Sequence, residues 1–395
     1  MKRIFIFIPG YYGTTLVEEE SNQLLWPSAR DVLFGKKTLA LKIPDIPIPG
    51  TMNLRAEKLV EKVNIVGPFY KEEAYEKSIL LLRKLCRHHH DKVHTLPWDW
   101  RMDPIHAVRK LHSLVEEIKE EHKQSNQLCE INIISHSFGS LIAAYYLRYG
   151  DQDYFSAKEN WHGLRSVQKV ILAAAPYRGL MAMFRNMHKG LQMGLNDQLQ
   201  SALAFCSFES SYYLLPPSGM DLVFDTNFQE HSLNLHDVNN WKKHRWGFFS
   251  EKINLPKSNL LAFETFTDLH LQRSRKLIEL MDAPIQNNEI TEEPAAQILY
   301  IQGTGRATVD KGIWLPHSTD KNNLLYYPLE VKKQFPRLPL SKLTTDGDLT
   351  VPSFSSRLPD AFEPFVVKKI ISKYEHLQLL QHATAQAQIK DFLSN

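Results

Sequence analysis

The stretch from Ile131 to Arg148 constrains the fold more than any other. The β-branched run Ile131–Ile134 reads as a buried strand, and Phe138–Arg148 as the apolar helix that leaves it. Between them lies Ser135-His136-Ser137-Phe138-Gly139, which has the order of a nucleophile elbow with Ser135 where a glycine usually stands. A strand and a helix joined by so short a turn approach closely, so small residues are needed two before and two after the central serine. Such a turn projects the Ser137 hydroxyl above the sheet edge and aims the Phe138 N–H at a developing oxyanion.

A strand feeding a helix in this way belongs to a mostly parallel sheet, and the rest of the chain keeps that rhythm. Ile4–Ile8, Lys92–Leu96, Val170–Ala174, Ile298–Gln302 and Phe365–Ile370 read as further strands, and Glu72–Leu85 as an amphipathic helix. A longer helix opens at Asp103-Pro104, a capping residue followed by proline, with Ile105, Val108, Leu111, Val115 and Ile118 as its apolar stripe. The expected class is α/β, with helices on both faces of the sheet. Two stretches break the pattern. Residues 18–67 form a proline-rich arm containing Ile43-Pro44-Asp45-Ile46-Pro47-Ile48-Pro49, and alternating prolines do not sit in a central strand. This arm is expected to dip into lipid, with a packed polyproline-like segment as the rival reading. Residues 176–295 carry helices and aromatics without a βα repeat, and are expected to form a mainly helical cap over the C-terminal edge of the sheet, where open α/β sheets bind ligands. The core is then 1–175 with 296–395.

Composition removes several classes of function. With 395 residues, 43% hydrophobic and 23% charged, the chain can fill a sizeable core and is neither disordered nor fibrous. A net charge of +3 gives no global attraction to nucleic acid. No apolar run approaches the roughly 18 residues of a membrane-spanning helix. Lys2 and Arg3 precede Ile4–Ile8 as in a secretion signal, but Pro9-Gly10 cuts the apolar run short. These features predict a cytoplasmic chain, still free to make peripheral membrane contact, with no nucleic-acid partner and no obligate protein partner. Cys86, Cys129 and Cys206 are scattered and odd in number, as reduced thiols are. His88-His89-His90 reads as a solvated helix end, no other spacing resembles a zinc site, and no glycine-rich phosphate loop is present, so neither metal nor cofactor is expected.

A serine nucleophile needs a base, and the base an orienting carboxylate. After an elbow of this kind the chain order is Ser, then Asp or Glu, then His. Asp346-Gly347-Asp348-Leu349-Thr350-Val351-Pro352 and Tyr374-Glu375-His376-Leu377 supply the last two. Asp348 is the expected acid, with Asp346 as the alternative, and His376 is the expected base. The chain has 17 histidines, so order and spacing carry that choice. His382 lies too far round a helix from His376 to share its face. Ile8-Pro9-Gly10-Tyr11 is a strand running into a tight turn, which makes the Tyr11 N–H the expected second oxyanion donor beside Phe138. Met181, Met183, Met187 and Met193, near Phe184 and Leu191, read as an adaptable lid over an acyl chain, with a core-facing helix as the alternative. Arg185 and Lys189 in that stretch are placed to meet phosphate or carboxylate.

Taken together, these segments resemble the lecithin:cholesterol acyltransferase family of the α/β-hydrolase superfamily, which includes phospholipid:diacylglycerol acyltransferases and lysosomal phospholipase A enzymes. Pro9-Gly10-Tyr11-Tyr12-Gly13-Thr14-Thr15-Leu16 resembles its opening oxyanion turn, and Pro97-Trp98-Asp99-Trp100-Arg101 its aromatic-Asp-Trp-Arg segment. Ser135–Gly139 resembles its elbow, and Ser210-Ser211-Tyr212-Tyr213-Leu214-Leu215-Pro216 a segment of its cap. Gly347–Pro352 resembles its acid loop, and His376-Leu377 its histidine turn. The resemblance implies an α/β-hydrolase fold, a Ser137, Asp348 and His376 triad, oxyanion donors at Tyr11 and Phe138, and an acyl pocket walled by Trp98 and Trp100, with plain packing beside Asp99–Arg101 as the alternative for the two tryptophans. Tyr12, Met181 and Met183 join these as expected substrate contacts. The cysteines that secreted members pair near the site have no counterparts here. The expected activity is that of a serine-dependent acyl-ester hydrolase or O-acyltransferase working on lipid esters, phospholipid acyl chains in particular, through an acyl-Ser137 intermediate. The alternatives are a non-lipid carboxylesterase or thioesterase, and a non-catalytic lipid-binding scaffold.

Overall fold

Six strands, all parallel, form the central sheet of the computed structural model. They are β1 (Lys2–Ile8), β2 (Lys92–Thr95), β3 (Cys129–His136), β4 (Lys169–Ala173), β5 (Gln297–Gly303) and β6 (Val366–Ser372), in the order β6-β5-β4-β3-β1-β2. The structure describes residues 2–61, 63–64, 71–72, 75–86, 88, 91–192, 194–251, 253, 259–286, 296–315 and 323–394. Side chains alternate across a strand, and both faces of the sheet's middle are covered, so inner strands such as β1 and β4 are apolar on both faces, while the edge strands β2 and β6 carry the exposed Lys92 and Lys369. Ile4, Ile6 and Ile8 of β1 enter the larger core, while Phe5 and Phe7 enter a second one on the opposite face. In β3, Ile131 and Ile133 are divided from Ile134 in the same way.

Helix α1 (Glu76–Leu85) packs on the second core through Ile79, Leu82 and Leu85. The helix expected from Glu72 starts later, because Lys71–Glu72 pairs antiparallel with Val63–Asn64 instead. Helix α2 (Pro104–Gln124) buries the predicted stripe in the larger core, and its Asp103 cap accepts a hydrogen bond from the Ile105 N–H at 2.9 Å. Helix α3 (Phe138–Tyr149) is buried at every residue, which explains why it is apolar all round. Its one cation, Arg148, is paired with Glu159 at 2.6 Å. A short helix α4 (His162–Ser166) follows.

The arm contains an antiparallel sheet of Leu24–Trp26, Thr14–Glu18 and Leu54–Leu59. Beyond it, Ile43, Ile46 and Ile48 are 7%, 5% and 6% exposed and belong to the larger core, while Pro44, Pro47 and Pro49 face outward. The expectation of a lipid-dipping loop is therefore corrected: the isoleucines anchor a packed segment. The prolines stand on its outside, where a missing N–H is harmless.

Helices α5 (Met181–Lys189) and α6 (Leu260–Asp282) lie within residues 176–295, and α7 (Ala383–Ser394) returns to the second core beside α1. Met181, Met183 and Met187 are buried together with Phe184, so α5 is the core-facing helix and its methionines are packing rather than an open lid. Met193 lies outside the described residues. Arg185 bonds the Gly190 carbonyl and lies 4.5 Å from the Tyr327 ring centre, and Lys189 pairs with Glu330 at 3.6 Å, so both cations have protein partners. Strand Asp221–Phe224 pairs with Glu230–Ser232 on one side and with Gly312–Trp314 on the other, which continues to Leu324–Leu325. Residues 312–314 and 324–325 thus join a sheet with strands from within 176–295. No helix among the described residues is long and apolar enough to cross a membrane. The three cysteines are free. His88 is exposed, and His89 and His90 lie outside the described residues.

Candidate active site

Ser137 stands between β3 and α3 with φ 54° and ψ −128°, a conformation that side-chain-bearing residues avoid. Neighbouring backbone and hydroxyls hold it there. The Ser137 N–H donates to the Ala173 carbonyl at 2.7 Å, and the Ser140 N–H donates back to the Ser137 carbonyl at 2.8 Å. Ser135, in the position usually given to glycine, donates its hydroxyl to the Ile171 carbonyl at 2.7 Å and accepts from Ser140 at 3.0 Å. Two glycines permit the close approach. A Cβ on Gly139 would stand 2.5 Å from the Ile8 carbonyl oxygen, and one on Gly10 would stand 2.7 Å from the Ser137 Cβ.

The structure brings Ser137, His376 and Asp348 into one line. The Ser137 Oγ lies 2.9 Å from His376 Nε2, and His376 Nδ1 lies 2.7 Å from Asp348 Oδ2. His376 opens a 3₁₀ turn after β6, and its N–H donates to the Asp348 carbonyl at 3.1 Å. Asp348 Oδ1 accepts from the Val351 N–H at 2.7 Å and the Thr350 N–H at 3.0 Å. Burial works to raise the Asp348 pKa, but His376 and these N–H donors outweigh it and hold the carboxyl below its ordinary value. The alternative acid, Asp346, faces elsewhere and bonds the Gly305 N–H and the Ser353 hydroxyl. His382 stacks on Tyr374 with ring centres 3.6 Å apart. Beneath Asp348 lies Gly303, where a Cβ would come within 2.4 Å of the Asp348 Cβ.

Tyr11 follows Gly10 in the turn beside Ser137. Neither the Tyr11 nor the Phe138 backbone N–H donates to any protein acceptor among the described residues. Trp98 and Trp100 are buried and brace this turn: their indole N–H groups donate to the Pro9 and Thr14 carbonyls at 3.0 and 3.1 Å. The Trp98 ring also meets Phe138, and the Trp100 ring meets Tyr11 and Tyr12. The Tyr12 hydroxyl donates to Gln200 at 3.1 Å. Arg101, itself buried, clamps Asp99 with Nε and Nη2 at 2.9 and 2.7 Å. Met181 and Met183 belong to the larger core described above.

Sequence reasoning missed a chain of hydrogen bonds behind the line. The Gly10 N–H donates to the Tyr75 hydroxyl at 3.0 Å, that hydroxyl lies 3.0 Å from His136 Nδ1, and His136 Nε2 lies 3.0 Å from the His376 carbonyl. Burial, and after it the neighbouring His376, pushes the His136 pKa down to about 3, so its ring is neutral. One tautomer satisfies every contact: Tyr75 O–H donates to Nδ1, and Nε2–H donates to the carbonyl. Tyr75 carries no local signal, since it is 65 residues from Gly10 and 61 from His136.

A sequence model of the lecithin:cholesterol acyltransferase family matches residues 42–376, a span that includes Ser137 and Asp348 and ends on His376. No curated protein matches the chain by sequence. Among solved structures, a chain of the Tle4–Tli4 complex is similar with a TM-score of 0.56 at 14% identity, covering 99% of this chain and 98% of that one. Esterase E22 gives a TM-score of 0.29 at 13% identity, over 99% and 90% of the two chains, and a likeness that slight decides nothing. At such identities the first comparison bears on the fold alone.

Proposed function

Since the chain belongs to the lecithin:cholesterol acyltransferase family, and so to the acyl-ester hydrolases and acyltransferases, we propose that it cleaves acyl chains from phospholipid esters through an acyl-Ser137 intermediate. The observation that supports this reading most is the unbroken contact line from the Ser137 hydroxyl through His376 to the Asp348 carboxylate. His376 Nε2 takes the Ser137 proton as the oxygen attacks the ester carbonyl, while Asp348 stays ionised and steadies the imidazolium. The carbonyl oxygen, now an anion, enters the space served by the Tyr11 and Phe138 amides; each such donor lowers the barrier by about 3–4 kcal/mol. Collapse expels the lysolipid alkoxide, which leaves with the proton from Nε2. Water or an alcohol then gives its proton to His376, attacks the acyl group, and frees Ser137 as the proton returns to it.

A fluorophosphonate probe followed by peptide mass spectrometry tests the nucleophile, with the adduct expected on Ser137. A protein left unlabelled there would sink the serine mechanism. Incubation with phosphatidylcholine should release lysolipid and fatty acid, and an added sterol or fatty alcohol should divert acyl groups into ester if transfer competes with hydrolysis. Labelling at Ser137 without phospholipid turnover would leave a non-lipid esterase or thioesterase.

A further inference from the structure

On α2, His112 and Glu116 stand one turn apart and so share a flank of the helix. His162, the first residue of α4, faces the same flank: its ring centre is 5.2 Å from that of His112, and its Nε2 lies 3.1 Å from Glu116 Oε1. One ligand atom from each of the three lies within 4.8 Å of the others. Packing fixes the third residue, because α4 sits so tightly on α3 that a Cβ on Gly163 would stand 2.5 Å from the Tyr146 carbonyl oxygen. His112 Nδ1 is buried with no hydrogen-bond partner among the described residues, while Nε2 of that ring is 3.9 Å from Asp151 Oδ2, beyond hydrogen-bond range. Two donors bound to zinc at 2.0–2.2 Å and at a tetrahedral angle are about 3.3–3.6 Å apart, a few tenths of an ångström more than the 3.1 Å between His162 and Glu116.

We propose that His112, Glu116 and His162 form a binding site for a zinc-like divalent cation, with water completing the coordination, separate from the Ser137 line and independent of the proposed function. Imidazole with carboxylate suits zinc, cobalt or nickel, and three protein donors leave the fourth tetrahedral position to water. The metal replaces the proton that His162 otherwise shares with Glu116, and ties α2 to α4. Lys119 is the competitor: its Nζ lies 2.9 Å from Glu116 Oε1 and 3.3 Å from the Ser166 hydroxyl, and it holds the carboxylate when no metal does.

Cobalt(II) titrated into the chelator-treated, full-length protein reports the site through visible d–d absorption. One equivalent is expected to bind with the intense bands of four-coordinate cobalt, be displaced by zinc, and raise the melting temperature. Glu116→Gln and His162→Gln, conservative in shape on a half-exposed surface, should each weaken binding by at least about a hundredfold. Lys119→Met should tighten it several-fold. Replacing His88, His89 and His90 together by alanine removes the other histidine-rich segment and should leave the signal unchanged. Absence of four-coordinate bands at one equivalent, or their persistence in the Glu116→Gln/His162→Gln protein, overturns the assignment.

Discussion

At the Ser137 elbow the chain is held by backbone, and in the arm around Ile46 it is held by side chains. The elbow has a strained residue pinned by short bonds between main-chain groups, with Gly10 and Gly139 in places where no Cβ fits. From Leu39 to Ile48 the arm has few main-chain bonds, chiefly Leu39 N–H to the Leu199 carbonyl, Ile46 N–H to the Ile43 carbonyl and Ile48 N–H to the Ile46 carbonyl, and it stays in place by burying Leu39, Ala40, Ile43, Ile46 and Ile48. The two regions therefore fail differently. A methyl group breaks the first and a charge breaks the second.

The sharpest break is Ser137→Ala, which leaves the backbone untouched and is expected to lower kcat for a p-nitrophenyl ester by at least about 10⁴-fold, with an unchanged circular dichroism spectrum. Retained turnover would show that the elbow is scaffold only. Gly139→Ala forces a methyl against the Ile8 and Pro9 carbonyl oxygens, and urea unfolding should record a loss of about 3 kcal/mol or more. A variant as stable as the parent would mean that strand and helix have room to part.

Ile46→Asp tests the arm, because a carboxylate on a 5%-exposed position should cost about 2–3 kcal/mol. If stability is unchanged while vesicle binding falls, the arm meets lipid after all. Smallest is Tyr75→Phe, which removes one hydroxyl from the link between Gly10 and His136. About a tenfold fall in kcat at constant KM is expected, equivalent to about 1.4 kcal/mol. A shift in KM alone would point to substrate contact rather than to positioning of the oxyanion turn.

The same division explains what could be read from the residues alone. Strands β1 and β3 were legible because a strand covered on both faces must be apolar throughout, and the elbow because its turn admits few residue types. Ser137, Asp348 and His376 followed from that turn and from chain order. Burial of Ile43, Ile46 and Ile48 was not legible, since alternating Ile and Pro describe an anchored segment and a lipid-facing one equally well. Met181, Met183 and Met187 have the same ambiguity: helical spacing marks a stripe without saying what covers it. Tyr75 was invisible because its partners are distant in the chain. The pairing of Gly312–Trp314 with Asp221–Phe224 is likewise a long-range event with no local marker.

Gly10 and Gly303 act as spacers by having nothing to offer, one under the serine and one under the aspartate. A relative that acquired alanine at either place would keep every reacting atom and lose their alignment. Sorting such chains into live and dead by whether serine, aspartate and histidine are present would then count inert proteins as enzymes; the bare positions have to be inspected as well.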